Sequence, residues 1–143
     1  MTSSDFNWTI RVYYEDTDTG GVVYYANYLK FFERTRTEWL RTAGIGQQAL
    51  AESHGIMFVV KSTAVDYHAP AKLDDELKLT ATVEKLGRAS VQFLQEAWRS
   101  TADGCQLLAT GRIKVGCVDT VSFRPTAIPD VILTKIGSMS EGR

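Results

Sequence analysis

The chain has only two cysteines, two histidines, almost no net charge and no long apolar run. Each shortage removes a class of function. Cys105 and Cys117 form no CxxC pattern, and His54 and His68 lie far from them in sequence, so no metal-ligand spacing is present and no metal is expected. Cys117 is expected to pack in a strand and Cys105 to sit near a turn, without a disulfide or a nucleophilic role. A formal net charge of -1 gives no general attraction to nucleic acid or to an anionic membrane. No segment has the apolar length of a membrane span. The polar start MTSSDFNWTIRV lacks the apolar core of a signal peptide, so a cytoplasmic location is expected and the sequon Asn7-Trp8-Thr9 reads as chance. No internal repeat or low-complexity linker divides the chain.

What remains suits one globular domain over 1–143: 44% hydrophobic and 23% charged residues, enough to bury a core. The core is expected over about 8–130, with a frayed tail at 137–143, GSMSEGR. In WTIRVYYE (8–15), Trp8, Ile10, Val12 and Tyr14 alternate with Thr9, Arg11, Tyr13 and Glu15, the period of a strand. From Asn27 to Thr42 the period changes. Tyr28, Phe32, Thr35 and Trp39 repeat at helical spacing, Phe31 and Leu29 widen the stripe, and Gly44 marks the stop. A shorter helical turn is expected at Gln47–Ser53. Four strands follow. They are Ile56–Tyr67, a run carrying Leu77, Leu79, Ala81 and Val83, Val91–Arg99 with a bulge, and a run from Leu107 to Cys117. Turns are expected at Leu86-Gly87-Arg88 and Ala102-Asp103-Gly104. The economical arrangement is α+β, an antiparallel sheet curved around one long helix, with an open edge that favours dimerisation.

Between the first strand and the helix stands YEDTDTGGVVYYANY (14–28), with three acids in four residues and then two glycines. A helix start presents N–H groups without intrahelical partners and a partial positive charge. It can hold an oxygen that becomes anionic during a reaction. Gly20 and Gly21 let the chain turn and a ligand approach the backbone. A loop carboxylate facing that helix start could attack a polarised carbonyl carbon or activate water. Acids before a helix also serve as caps, and spacing alone leaves both readings open.

The segment DTDTGGVVYYANYLKFFERTRTEWL resembles the signature D-x-D-x-x-G-x-V-x-[YH]-x-x-Y of the hotdog-fold acyl-CoA thioesterases, in the 4-hydroxybenzoyl-CoA thioesterase family and its Tol-Pal-associated branch. YHAPAKLDDEL (67–77) fits the same pattern. The resemblance implies a hotdog fold and hydrolysis of an acyl-CoA thioester, with CoA as part of the substrate and no other cofactor. It places Asp18 as nucleophile or general base and the backbone N–H of Tyr25 as the group that polarises the carbonyl. Gly21, Val59, Val60, Arg88 and Ser90 fall at substrate-binding positions, the last two near CoA. Tyr25 stands where Tol-Pal-associated members carry His, so any mechanism that needs an imidazole there is in doubt. Active sites at a dimer interface are implied, in a homodimer at least and a homotetramer as the larger assembly. An acyl carrier protein is an alternative thiol carrier. Two other readings are kept: a hotdog dehydratase, which needs a histidine that the D-x-D segment lacks, and a non-enzymatic scaffold for acyl carrier protein or envelope-biogenesis partners.

Overall fold

The computed structural model describes residues 6–141. Five strands form one antiparallel sheet in the order β1-β3-β4-β5-β2. They are β1 (Asn7–Arg11), β2 (Ile56–Tyr67), β3 (Glu76–Leu86), β4 (Ser90–Thr101) and β5 (Gly104–Asp119). Three helices accompany them: α1 (Asn27–Thr42), α2 (Gln47–His54) and α3 (Asp130–Glu141). Among the described residues, no helix is long and apolar enough to cross a membrane.

Helix α1 supplies the middle of the core. Tyr28, Phe31, Phe32, Thr35, Trp39 and Leu40 are buried, as the helical spacing requires. Phe31 widens the stripe as expected, but Leu29 does not. It is 44% exposed. Facing the helix, β3 contributes Leu77, Leu79 and Ala81, β4 contributes Val91, Phe93 and Ala97, and β5 contributes Ala109 and Ile113. The Trp39 ring meets Phe93 edge-on at a centroid distance of 5.4 Å. Gly111 of β5 faces the same way, and its missing side chain lets Phe32 come within contact of the strand.

Three further expectations change. The first strand ends at Arg11 rather than Glu15. Past it, Val12 bonds the loop before β3 through Val12 N–H to Asp75 O and Asp74 N–H to Val12 O, and Tyr14–Asp16 then coil into a 3-10 turn. The bulges lie on the partners of β4 and not within it: register shifts against β4 at Val83/Lys85 leave Glu84 unopposed, and those at Ala97/Trp98 leave Leu108 unopposed. What breaks the alternation of β4 is Gln95, a polar residue fully buried on the core face. Residues 137–141 of the expected frayed tail instead belong to α3, whose Ile132 and Ile136 are buried, while 142 and 143 lie outside the described residues.

Cys117 is buried in β5 and Cys105 is exposed next to the turn at Gly104. Both are free thiols.

Candidate active site

The site grows from the segment between β1 and α1. Asp18 closes a tight turn on itself: its N–H bonds Val22 O at 3.0 Å, its carbonyl accepts from Gly21 N–H at 3.0 Å, and its Oδ1 accepts from Gly20 N–H at 2.8 Å. Gly21 has φ +79°, a conformation that favours glycine, so the turn depends on that residue. Two bonds dock the turn on the loop before β3. Val23 N–H reaches Ala71 O at 2.8 Å, and Val22 bridges Lys72. Two more tie it to the helix. The carbonyl of Asp16 accepts from Tyr24 N–H at 2.9 Å and from the Asn27 side-chain amide at 2.8 Å.

The acids do not cap α1. Its N-cap is Ala26, no side chain bonds the first turn, and no acid occupies that turn. The carboxylate of Asp16 is spent on Tyr13 N–H at 2.9 Å, and Glu15 is exposed. Asp18 is exposed as well, with one oxygen held by its own turn. Among the described residues no acceptor meets the N–H of Tyr25, whereas its carbonyl takes the Tyr67 hydroxyl at 3.1 Å and the Tyr28 N–H at 3.3 Å. The chain just before the helix N-cap therefore presents an unfilled donor in the same bonded segment as the Asp18 turn.

Aromatic rings wall this region. Tyr24 and Tyr25 lie 4.8 Å apart, Tyr25 and Tyr67 6.0 Å, and Tyr28 and Tyr67 5.5 Å. The Tyr25 hydroxyl raises the pKa of Tyr24, and the charge of Asp18 adds a lesser push in the same direction. Burial raises Tyr67, with Tyr25 adding to it. Tyr28 is pushed up to about 12, first by burial and then by Tyr67, with the backbone of Ala71 opposing. Its hydroxyl is buried, and among the described residues the Ala71 backbone comes near it without completing a hydrogen bond. Tyr25, Tyr28 and Tyr67 line a hollow of about 320 Å³ together with Val23, His68 and Pro70. His68 is exposed there, with its Nε2 3.0 Å from Thr110 Oγ1.

The other expected residues lie elsewhere in the chain. Val59, Gly116 and Ser90 stand in one register row across β2, β5 and β4. Arg88 is exposed in the turn next to Ser90, where its carbonyl accepts from Ile128 N–H. Tyr67, which holds Tyr25, is at the far end of β2, eight residues from Val59 and so roughly 26 Å away along an extended strand. Within one chain, then, Asp18, Gly21 and Tyr25 are grouped at one end of the sheet, while Val59, Val60, Arg88 and Ser90 are grouped at the other. Among the described residues no cluster of three His, Cys, Asp or Glu side chains could hold a metal.

The thioesterase-like superfamily model matches residues 12–136, nearly the whole described chain. This chain belongs to the thioesterase-like superfamily. The acyl-CoA thioesterase YbgC of Haemophilus influenzae is 46% identical over 129 residues, spanning 90% of this chain and 92% of that protein. The acyl-CoA thioester hydrolase YbgC of Escherichia coli O6:H1 is 41% identical over 135 residues, 94% of this chain and 98% of the relative. A crystal structure of a 4-hydroxybenzoyl-CoA thioesterase variant with 4-hydroxybenzoyl-CoA superposes with a TM-score of 0.84 at 19% identity, covering 92% of this chain and 97% of that one. The α+β architecture is the hotdog fold of that superfamily. The thioesterase-like match includes both the acid turn and the start of α1.

Two inward polar residues escaped the sequence reading. Arg36 of α1 is 8% exposed, and its Nη1 donates to Gln95 Oε1 at 3.0 Å, while Gln95 Nε2 donates to Phe32 O at 3.0 Å. A signal was present, because Phe32, Arg36 and Leu40 fall on one row at spacings of four.

Proposed function

We propose that this protein hydrolyses acyl-CoA thioesters, with Asp18 and the N–H of Tyr25 as the reacting pair. The observation that carries the reading is the unfilled Tyr25 N–H at an uncapped helix start, in the same bonded unit as the Asp18 turn. The acyl-CoA activity of the H. influenzae and E. coli relatives supports the substrate class. The thioester oxygen accepts from Tyr25 N–H and gains negative charge as the carbonyl carbon is attacked, and a donor at a helix start stabilises that charge. Asp18 delivers the attack, either by its own oxygen or by taking a proton from water. The leaving thiol has a pKa of about 8.5 by analogy with cysteine, so it departs without a strong acid. A neutral phenol at Tyr25 suits this chemistry, since the backbone of that residue does the work.

The site is completed by a second copy. β2 ends the sheet, and its outer half, Val60–Tyr67, is exposed except for half-buried Val65. Two such edges pairing antiparallel about their middle bring Val59 and Val60 of one copy against Tyr67 of the partner subunit. That pairing joins the two groups that one chain keeps apart. Asp18, Gly21 and Tyr25 come from one copy, and Val59, Val60, Arg88 and Ser90 from the other. Val59 and Val60 line the acyl or pantetheine channel, and Arg88 and Ser90 lie near the CoA.

Thiol release from a panel of short-chain, long-chain and aromatic acyl-CoAs tests the proposal. Asp18→Asn is expected to lower kcat about 10²- to 10⁴-fold, the usual contribution of such a group, with unchanged thermal unfolding. Equal activity in wild type and variant, or no cleavage of any thioester, removes the assignment.

A further inference from the structure

Between α1 and the sheet lies a second, more enclosed cavity of about 120 Å³. Leu40, Phe58, Val91, Phe93, Val115 and Ile136 make it apolar. At its rim the polar groups satisfy one another: Gln47 Nε2 donates to Thr37 Oγ1 at 3.0 Å, and Thr37 Oγ1 donates to Glu33 Oε2 at 2.8 Å. The polar group inside is Arg36. It is more than nine-tenths buried, and among the described residues it has no carboxylate partner within ion-pair distance. A guanidinium has five N–H donors, and among the described residues one of them is engaged, by Gln95. Glu33 of the same helix lies beyond ion-pair distance, and its charge favours the charged guanidinium, so burial is only partly offset within the chain and the remaining donors are open to oxygens of a ligand in the cavity.

Size limits the ligand. An apolar cavity of about 150 Å³ holds benzene, so about 120 Å³ has room for roughly five non-hydrogen atoms. The position limits it further. Val60 lines the mouth of the cavity on the open edge of β2. In the paired assembly proposed above, that mouth adjoins the Tyr25 N–H of the partner subunit.

We propose that this cavity receives the far end of the acyl group and that Arg36 selects a short chain ending in a carboxylate. The proposal rests on the thioesterase reading and names its substrate class. A succinyl group fits the limits: two methylenes and a carboxylate, five non-hydrogen atoms, extend beyond the thioester carbonyl. Butyryl has the same carbon count without the charge.

The test compares succinyl-CoA and butyryl-CoA turnover by wild type, Arg36→Met and Arg36→Lys. Wild type is expected to favour succinyl-CoA by about 10- to 100-fold in kcat/KM, the range of a charge-assisted hydrogen bond. Arg36→Met is expected to bring the ratio to about one, and Arg36→Lys to fall between. A ratio unchanged by Arg36→Met, or a wild-type preference for butyryl-CoA, overturns the proposal. A second measurement needs neither variant nor catalysis. Free succinate is expected to raise the thermal midpoint of wild type and free butyrate is not, and equal shifts overturn it. If no thioester is cleaved at all, the catalytic reading fails, and the succinate shift decides the cavity by itself.

Discussion

Replacing Gly111 by alanine probes how closely α1 rests on the sheet. A Cβ there would stand 2.9 Å from Phe32 Cε2, 3.0 Å from Ile113 Cδ1 and 3.3 Å from Phe32 Cδ2. Carbon atoms pack best at about 3.5–4.0 Å, so the new methyl is several tenths of an ångström too close to each. Phe32 is fully buried and Ile113 nearly so, and neither has room to turn away. Overpacking of this kind costs about 1–3 kcal/mol. For a domain of this size, that is a fall of roughly 4–12 °C in thermal midpoint. Gly116→Ala is the matched control. Its Cβ would meet Lys61 Cε at 2.7 Å, but Lys61 is exposed and its stem can swing into solvent. Gly116 is itself buried, but the atoms nearest the new methyl all belong to that one movable side chain, so its expected cost is below that of Gly111→Ala. Thermal unfolding of both variants, followed by Gly111→Ala with Phe32→Leu, measures the contact as a cycle. The smaller residue at 32 is expected to restore part of the loss. If Gly111→Ala is as stable as Gly116→Ala, α1 does not press on β5 at this point, and the account of how the helix start is positioned fails.

Tyr67→Phe removes the hydroxyl that holds the Tyr25 carbonyl at 3.1 Å. Loss of one such bond is expected to cost about 0.5–1.5 kcal/mol of stability and to lower kcat as the Tyr25 backbone loosens; unchanged kcat would separate Tyr67 from the site. Tyr28→Phe deletes a buried hydroxyl that completes no hydrogen bond among the described residues, so stability near neutral pH is expected to hold or rise. The pKa of this phenol is raised from 10.0 to about 12 in the fold. Its contribution to stability is complete below pH 10 and is lost as the pH rises through 12. Denaturant midpoints across that window are expected to fall less steeply for Tyr28→Phe than for wild type, and parallel curves would contradict the burial argument.

Some elements were legible because their signals are local. The stripe Tyr28, Phe32, Thr35, Trp39 and the stop at Gly44 give α1 its observed bounds, Asn27–Thr42. β2 likewise runs from Ile56 to Tyr67 as its β-branched residues suggest. The acid turn and the helix start were readable for the same reason. Elsewhere a distant partner decided the outcome. The alternation of β1 continues through Tyr14, but Asp74 and Asp75, sixty residues later, take over the backbone of Val12 and end the strand. The row of Phe32, Arg36 and Leu40 puts Arg36 on the inner face, but its partner Gln95 comes from β4 and has no local signal. α3 carried a local signal that went unused, Ile132, Leu133, Ile136 and Met139 at helical spacing, masked by Gly137 and Ser138. The grouping of Arg88 and Ser90 with Val59, away from the Asp18 turn, could not be read from periodicity, because it depends on which neighbour each strand chooses.

The strand order also dictates when the chain can become competent. β3, β4 and β5 are successive hairpins and close over short loops, whereas β2 must find β5, and β1 must reach back past both helices and β2 to find β3. Closing long loops is slow, so the central meander forms early and the two flanking strands dock late. The turn at Asp18 hangs between β1 and α1 and is held by Ala71 and Lys72 at the entrance to β3. It takes its final shape only after β1 has docked. During refolding from denaturant, the signal of Trp98, which lies within the meander on β4, is therefore expected to return before the chain regains its chemistry. During synthesis, a ribosome that has already released the N-terminal strand must still deliver β3 before that strand has anywhere to go.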